Sequence, residues 1–367
     1  MRKGLFLILF AALLPMRALG ADVAPETSAQ AMVLIHPASG TILAEKNASD
    51  PHLIASTTKL MTALVAAQTL PMDKSVEIRS EWTLVEGSSM YLRPGESYSV
   101  RELLEGLLLA SGNDAALALA ETVSGDVESF VARMNEEAQK MDLRNTHFEN
   151  PHGLDGERHY SCAADLARIM AEALKIEPLR QIMGESSCTI HGAIYENHNK
   201  LLRSCQGVFA GKTGYTMAAG RCLASACERD GMELICVTLS DPDDWRDHAA
   251  LYDWAFANYK DYTVKAGESV ADLPTISGRT EMAALTVAKD VSVCAPKDAS
   301  LYTKSEIPPF AFAPLRSGES VGTLTVYVND RAAVTVPLVW AENVQRSGGA
   351  ALLIRDVADR LMGIYRI

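Results

Sequence analysis

The sequence predicts an α/β sandwich followed by a small all-β domain, and three observations carry that expectation. Runs with helical spacing fill the middle of residues 21–261, and strand-like runs lie at both ends of the same region. Over residues 262–345 helical periods give way to short runs separated by Gly, Pro and Ser turns. A length of 367 residues leaves room for two domains with sizeable cores. Hydrophobic residues at 48% and charged residues at 22% exclude a disordered chain and a polytopic membrane protein alike.

Arg2 and Lys3 precede an apolar run from Gly4 to Leu14, and Ala18-Leu19-Gly20 follows it. That pattern predicts a cleaved signal peptide over residues 1–20; the run is too short for a membrane span. The mature chain is therefore expected outside the cytoplasmic membrane. Strands are expected at 31–35 and 41–44, joined by His36-Pro37-Ala38-Ser39-Gly40. Residues 56–69 read as a helix, with Leu60, Met61, Leu64, Val65 and Gln68 on one face. Helices 101–110 and 114–123 are broken at Ser111-Gly112-Asn113, and further helices are expected at 126–142 and 162–175. Strands resume at Val208; 221–227 and 233–239 flank Asp230-Gly231, a strong hairpin signal, and 244–259 returns to helix.

In the β-rich region the clearest runs are 286–294, 321–328 and 332–338. Residues 350–367 close the chain with Leu353, Val357, Leu361 and Ile364 on one helical face and Arg355, Asp356, Asp359 and Arg360 on the other. Such a helix either packs on the β domain or lies at a membrane surface, and its terminal position favours the second. The net charge is −12, and without residues 1–20 it is −15, so nucleic acid is excluded as a partner. Seven cysteines form no CxxC and no framework spacing, which reads as free buried thiols with room for one disulfide.

Three short stretches can carry chemistry. In Ser56-Thr57-Thr58-Lys59 the i, i+3 spacing brings the lysine amine to the serine hydroxyl. An unactivated serine is a poor nucleophile, and a lysine can serve as its base only when desolvation or a nearby cation lowers its pKa. Taken alone, Ser56 could equally be a helix N-cap. Ser111-Gly112-Asn113 offers a hydroxyl for proton relay and an amide for a substrate carbonyl, although these residues also make ordinary turns. Lys212-Thr213-Gly214 offers a cation and a hydroxyl to a carboxylate, on a backbone that a bound chain can approach closely.

In this order the three stretches are the signature of penicillin-binding proteins and class A β-lactamases. Residues 54–62 (Ile-Ala-Ser-Thr-Thr-Lys-Leu-Met-Thr) resemble the nucleophile segment of the serine D-alanyl-D-alanine carboxypeptidases of peptidase family S11. Gly87-Ser88-Ser89-Met90, Pro94-Gly95-Glu96, Asn150-Pro151-His152-Gly153-Leu154-Asp155, His159-Tyr160-Ser161 and Gly211-Lys212-Thr213-Gly214-Tyr215-Thr216 are similar to the same family. The resemblance implies a penicillin-binding/β-lactamase-like transpeptidase domain, a β-rich domain and a C-terminal anchor. It makes Ser56 the acylated nucleophile, Lys59 the proton acceptor, Ser111 a proton relay and Asn113 the substrate-amide ligand. Lys212 with Thr213 would hold the terminal carboxylate, Gly214 would admit the substrate, and the N–H groups of Ser56 and Tyr215 would form the oxyanion hole.

The implied partners are peptidoglycan stem peptides ending in D-Ala-D-Ala and β-lactams, with no cofactor and no metal. His152, Asp155, Glu157 and His159 match no metal-ligand spacing and read as a structural loop. His36, where an acidic residue is commoner, departs from the family pattern. A β-lactamase is the second reading; Gly112 in place of Asp and the extra β domain count against it. A non-hydrolytic wall-binding scaffold is the third, and the intact Ser56, Lys59, Ser111, Asn113 and Lys212 oppose it.

Overall fold

The computed structural model describes residues 23–347; the expected signal peptide at 1–20 and amphipathic helix at 350–367 lie outside the described residues. The chain divides between Asn258 and Tyr259 into two compact units. In the first, β1 (Ala31–His36) and β2 (Thr41–Lys46) form a hairpin, and a 3-10 turn (Ala55–Thr58) enters α1 (Lys59–Thr69). β3 (Ser75–Glu77) and β4 (Ser97–Ser99) make a small ribbon, followed by α2 (Val100–Leu108), α3 (Asn113–Ser124), α4 (Val127–Lys140), α5 (Ala163–Leu174) and α6 (Glu177–Gly184). A hairpin of β5 (Ser187–Ile190) and β6 (Ala193–Glu196) and one turn of helix, α7 (Leu201–Ser204), come next. β7 (Val208–Thr216), β8 (Gly220–Arg229), β9 (Met232–Leu239) and α8 (Asp244–Asn258) complete the unit.

Its main sheet is antiparallel in the order β2-β1-β9-β8-β7, so strands from the two ends of the unit meet in one sheet and the helical block lies between them in sequence. Every residue of β1 is buried and β9 is nearly so, as expected where both faces of a strand are covered. The β8–β9 turn has the left-handed φ at both Asp230 (51°) and Gly231 (78°), which suits the right-handed twist of the flanking strands. Helix ends follow local rules. Ser99 and Glu102 close a capping box on α2, Asp126 accepts from Ser129 N at the start of α4, and Gly125 (φ +88°) stops α3.

Four sequence expectations need correcting. Residues 56–69 are not one α-helix; the first turn is 3-10, because Ala55 (φ +45°) enters from the left-handed region. Residues 286–294 are not one strand but the end of β12 (Met282–Val287) and the start of β13 (Val291–Pro296). The helix expected to run to 259 ends at Asn258, because Tyr259 opens β10 (Tyr259–Val264) and pairs with Pro296. His36 is buried on β1, with Nδ1 2.7 Å from the Ser39 hydroxyl.

The second unit is all β, as the sequence predicts. Beside the β10–β13 pair, β11 (Ala271–Ile276), β12, β14 (Leu301–Glu306), β15 (Ala311–Phe312), β16 (Ser320–Val328) and β17 (Arg331–Trp340) form a sheet in the order β14-β16-β17-β12-β11-β15. Leu273, Leu285, Leu324, Leu338 and Trp340 are the centre of its core.

In the first unit α8 is held to the sheet partly through polar groups. His248 is fully buried, with Nδ1 2.7 Å from Ser225 Oγ and Nε2 3.1 Å from Thr238 Oγ1. Burial lowers its pKa to about 3, so the folded protein holds this ring neutral while the unfolded chain protonates it near 6.5. Stability from this group is therefore complete above about pH 6.5 and is lost as pH falls toward 3, at up to ~1.4 kcal/mol per pH unit. Urea titrations at pH 7 and pH 5 should show the unfolding free energy dropping on acidification, with a shallower drop in His248→Asn; equal slopes in the two proteins would contradict a neutral buried ring.

Candidate active site

Ser56 sits in the middle of the 3-10 turn, and Lys59 is the first residue of α1. In a 3-10 turn residues i and i+3 eclipse, so the two side chains stack more directly than α-helical geometry would allow. Neither Ser56 nor any other side chain caps this turn or α1, which removes the N-cap reading of Ser56. Lys59 Nζ lies 2.8 Å from Ser56 Oγ, 2.7 Å from Asn113 Oδ1 and 2.6 Å from the His152 carbonyl oxygen. The Asn113 amide is oriented by its own Nδ2, which donates to Glu86 O at 2.6 Å, so its oxygen must face the lysine.

This arrangement decides how the amine is used. Lys59 is fully buried, and desolvation, reinforced by the charge of Lys212, lowers its pKa well below the ordinary lysine range. A neutral amine has two N–H donors and one lone pair. Asn113 Oδ1 and His152 O can only accept, so they take both donors. The lone pair is left for the proton of the Ser56 hydroxyl, the third neighbour. A neutral Lys59 would thus turn its lone pair toward the Ser56 hydroxyl.

Lys212, on the edge strand β7, is also buried, and burial alone holds its pKa at about 7. Its Nζ donates to Ser111 Oγ at 3.0 Å and to Thr213 O at 2.8 Å. Ser111 adopts the left-handed φ of +60° in the break between α2 and α3, a conformation that costs energy in a non-glycine residue and recurs at functional sites. Thr213 is half-buried on β7 and the Tyr215 side chain is exposed.

Gly214 packs closely against the 3-10 turn. A Cβ there would lie 2.9 Å from Ser56 N, 3.0 Å from Thr57 N and 3.1 Å from Ile54 O. The bare backbone is needed by the nucleophile turn itself, which packs directly on β7. Gly153 does the same from the other side. It has φ +92°, and a Cβ would collide with the carbonyl of Ala55.

Several contributors were not legible as site residues. The His152 carbonyl is a main-chain group, invisible to residue-type reasoning. Asn150 fixes that loop by accepting from Gly153 N at 2.7 Å and donating to Leu154 O at 2.8 Å. His159 Nε2 lies 2.8 Å from Thr58 Oγ1, tying the loop to the 3-10 turn. Burial lowers the pKa of His152 and of His159 to about 4, so both rings are neutral supports. Among the described residues no three His, Cys, Asp or Glu side chains gather as a metal site. Asp114 is buried and accepts from Ser89 Oγ (2.6 Å), Met90 N (3.0 Å) and Leu92 N (3.1 Å), which fixes the 86–92 segment under Asn113. As an acidic residue in the first turn of α3, Asp114 could have been flagged; nothing local signals its reach to residues 89–92.

Known proteins resemble both units of the chain. Residues 19–243 match the Peptidase S11 family model, described as D-alanyl-D-alanine carboxypeptidase, and residues 260–346 match the C-terminal domain model of penicillin-binding protein 5. The chain is 32% identical to the D-alanyl-D-alanine carboxypeptidase DacF of Bacillus subtilis, over 90% of each protein. It is 34% identical to DacC of Escherichia coli, over 89% of this chain and 86% of that one. Penicillin-binding protein 5 of Haemophilus influenzae superposes with a TM-score of 0.77 at 29% identity, covering 89% of this chain and all of that structure. The matched residues span the Ser56 turn, the Ser111 break and β7 alike, and the chain belongs to the serine-type D-alanyl-D-alanine carboxypeptidases of peptidase family S11.

Proposed function

We propose that this chain removes the terminal D-alanine from peptidoglycan stem pentapeptides through an acyl-enzyme on Ser56, and that β-lactams acylate the same hydroxyl. The observation that carries the reading is the Lys59 amine, buried, with both donors committed to carbonyl oxygens and Ser56 Oγ 2.8 Å away. Lys59 takes the proton of Ser56 as Oγ attacks the penultimate D-Ala carbonyl carbon. The carbonyl oxygen becomes an oxyanion, met by the N–H groups of Ser56 and Tyr215, a type of contact worth about 3 kcal/mol per donor. The C–N bond then breaks, the leaving D-alanine amine takes a proton, and water hydrolyses the ester with Lys59 again as base.

Ser111, hydrogen-bonded to Lys212, is placed to pass the proton to the leaving amine. Lys212 and Thr213 receive the C-terminal carboxylate, and the open edge of β7 offers a strand for the extended stem peptide to lie against. Asn113 both orients Lys59 and presents its amide toward the substrate. The work would take place in the cell-wall space after export on residues 1–20, with residues 350–367 resting on the membrane surface; the charged start and apolar run of the leader, and the two-faced pattern of the terminal helix, support this part of the reading.

Release of D-alanine from a diacyl-D-Ala-D-Ala peptide by the purified chain tests the reaction, and turnover of a β-lactam without peptide cleavage would replace it with the β-lactamase reading. Ser56→Ala and Lys59→Ala should each lower labelling by fluorescent penicillin by at least about 10³-fold while the circular dichroism spectrum stays native. Undiminished labelling of Lys59→Ala would mean that another base acts. Gly214→Ala should slow acylation by about 10²-fold, because the added methyl pushes the nucleophile turn out of position. A wild-type rate there would refute the close-approach argument. Finally, Lys212 loses its proton in the empty site as pH rises above about 7. KM for a peptide with a free carboxylate should then rise by up to about tenfold per pH unit between pH 7 and 9; a flat log KM profile would remove Lys212 from carboxylate binding.

A further inference from the structure

Two of the seven free cysteines are placed differently from the rest. Cys205 ends α7, and Cys227 lies on β8, far from it in sequence. A hydrogen bond from Val208 N to Cys205 O (3.2 Å) folds the chain back on itself, with Gly207 at φ +84° in the bend. Val208 is the direct cross-strand partner of Cys227. The bend therefore brings Cys205 back toward the Val208–Cys227 pair, where the Cys227 thiol donates to Gln206 O at 3.5 Å, next to Cys205 in the chain, and the two sulfurs interact. A Cβ on Gly207 would meet Cys227 Sγ at 3.2 Å, so the glycine leaves room for that sulfur.

A fixed cation faces the pair. Arg229 is held by Asp253 Oδ1 (2.7 Å), by Gln206 O (2.9 Å) and by the Phe256 ring, whose centroid is 4.9 Å from its guanidinium carbon. From that position Nη2 points at Cys205 Sγ at 3.6 Å. Interaction with Cys227, then the guanidinium, lowers the Cys205 pKa to about 7, while the same interaction and burial raise that of Cys227. Gly207 and Glu228, close in sequence to the two cysteines, line a surface hollow of about 760 Å³ together with Arg180, Gln181 and Phe209, and of the two thiols Cys205 is the less buried. Among the described residues Cys162, Cys222 and Cys236 are buried, and burial raises the pKa of each.

We propose that Cys205 and Cys227 are a dithiol built to form an intramolecular disulfide by exchange with an organic disulfide, Cys205 attacking and Cys227 resolving. The Cys205 thiolate attacks one sulfur of the incoming disulfide, whose S–S bond breaks and whose other half leaves as a thiolate that takes up a proton. Cys227 then gives up its proton, and its sulfur attacks the Cys205 sulfur of the mixed disulfide and expels the second half. Two protein thiols are oxidised to one disulfide, and one external disulfide is reduced to two thiols. The product ties the α7–β7 bend to β8 at the point where the Lys212 strand begins. Asn199, just ahead of α7, packs its amide against Gly211 of the same strand, so the bend is already its anchor.

The experiment uses the full chain and oxidised glutathione. After incubation, remaining thiols are blocked with N-ethylmaleimide, and the unreduced digest is mapped by mass spectrometry. The expected result is a single linkage between the peptides carrying Cys205 and Cys227, five blocked cysteines, and a rise in Tm of several degrees that dithiothreitol reverses. Cys227→Ser should instead stop at glutathione bound to Cys205, and Cys205→Ser should take up none at either position. Linkage between other cysteines, glutathione retained on wild-type Cys205, or seven unmodified thiols would each overturn the proposal. The wild-type map decides the matter even if a variant fails to fold.

Discussion

A lysine amine in a dry site is the constraint on which the first unit depends. Taking a lysine out of water disfavours its charged form, and without compensation the side chain would simply be a destabilising core defect. Here two carbonyl oxygens satisfy its N–H groups, and the one remaining contact is the hydroxyl to be activated. The second lysine reinforces the effect through its charge. Each feature alone is commonplace; together, two fixed acceptors and one hydroxyl neighbour are the hydrogen-bond arithmetic behind the proposed base role of Lys59.

Holding that geometry requires backbone segments to approach more closely than side chains permit. Gly153 presses on the Ala55 carbonyl from one side of the nucleophile turn, and Gly214 presses on the Ser56 and Thr57 N–H groups from the other. Ala55 and Ser111, both in the left-handed region without being glycine, show where the chain is bent against its preference. Two of the non-glycine residues in that region thus stand at the breaks that carry Ser56 and Asn113, against the close-packed core of α1, α2, α3 and α5. Polar loop supports, His159 on Thr58 and Asp114 on residues 89–92, fix what the apolar core cannot reach.

The fold class, the sheet-forming ends of the first unit and the positions of Ser56, Lys59, Ser111, Asn113 and Lys212 were legible because they rest on periodicity and on side-chain chemistry. What escaped reading has a different physical basis. α6 is only eight residues long, with Pro178 in its first turn, and the β5–β6 hairpin is largely exposed, so neither carries a strong apolar pattern. The 3-10 turn differs from an α-helix in closing its hydrogen bonds over three residues instead of four, which composition does not encode. The His152 carbonyl is common to every residue type, and only the tertiary structure can bring it to Lys59. The packing of Gly214 on the 3-10 turn also escaped, since a bare backbone position does not say which neighbours need the space.

Gly112 shows how such local departures are tied to their surroundings. An acidic residue in the middle of the Ser-x-Asn stretch would begin with a Cβ 2.7 Å from Asp114 Oδ1 and 3.2 Å from Met90 N. Asp114 is already buried there, with Ser89, Met90 and Leu92 as donors. A second carboxylate at 112 would meet the first across a gap with no spare donor between them, and like charges in a buried site repel strongly. The glycine and the Asp114 clamp are therefore two halves of one solution: the carboxylate that fixes the 86–92 segment stands one residue past Asn113, and position 112 stays bare to let that segment come close. The middle residue of this motif is thus set by the loop packed above it and leaves the contact between Asn113 and Lys59 untouched.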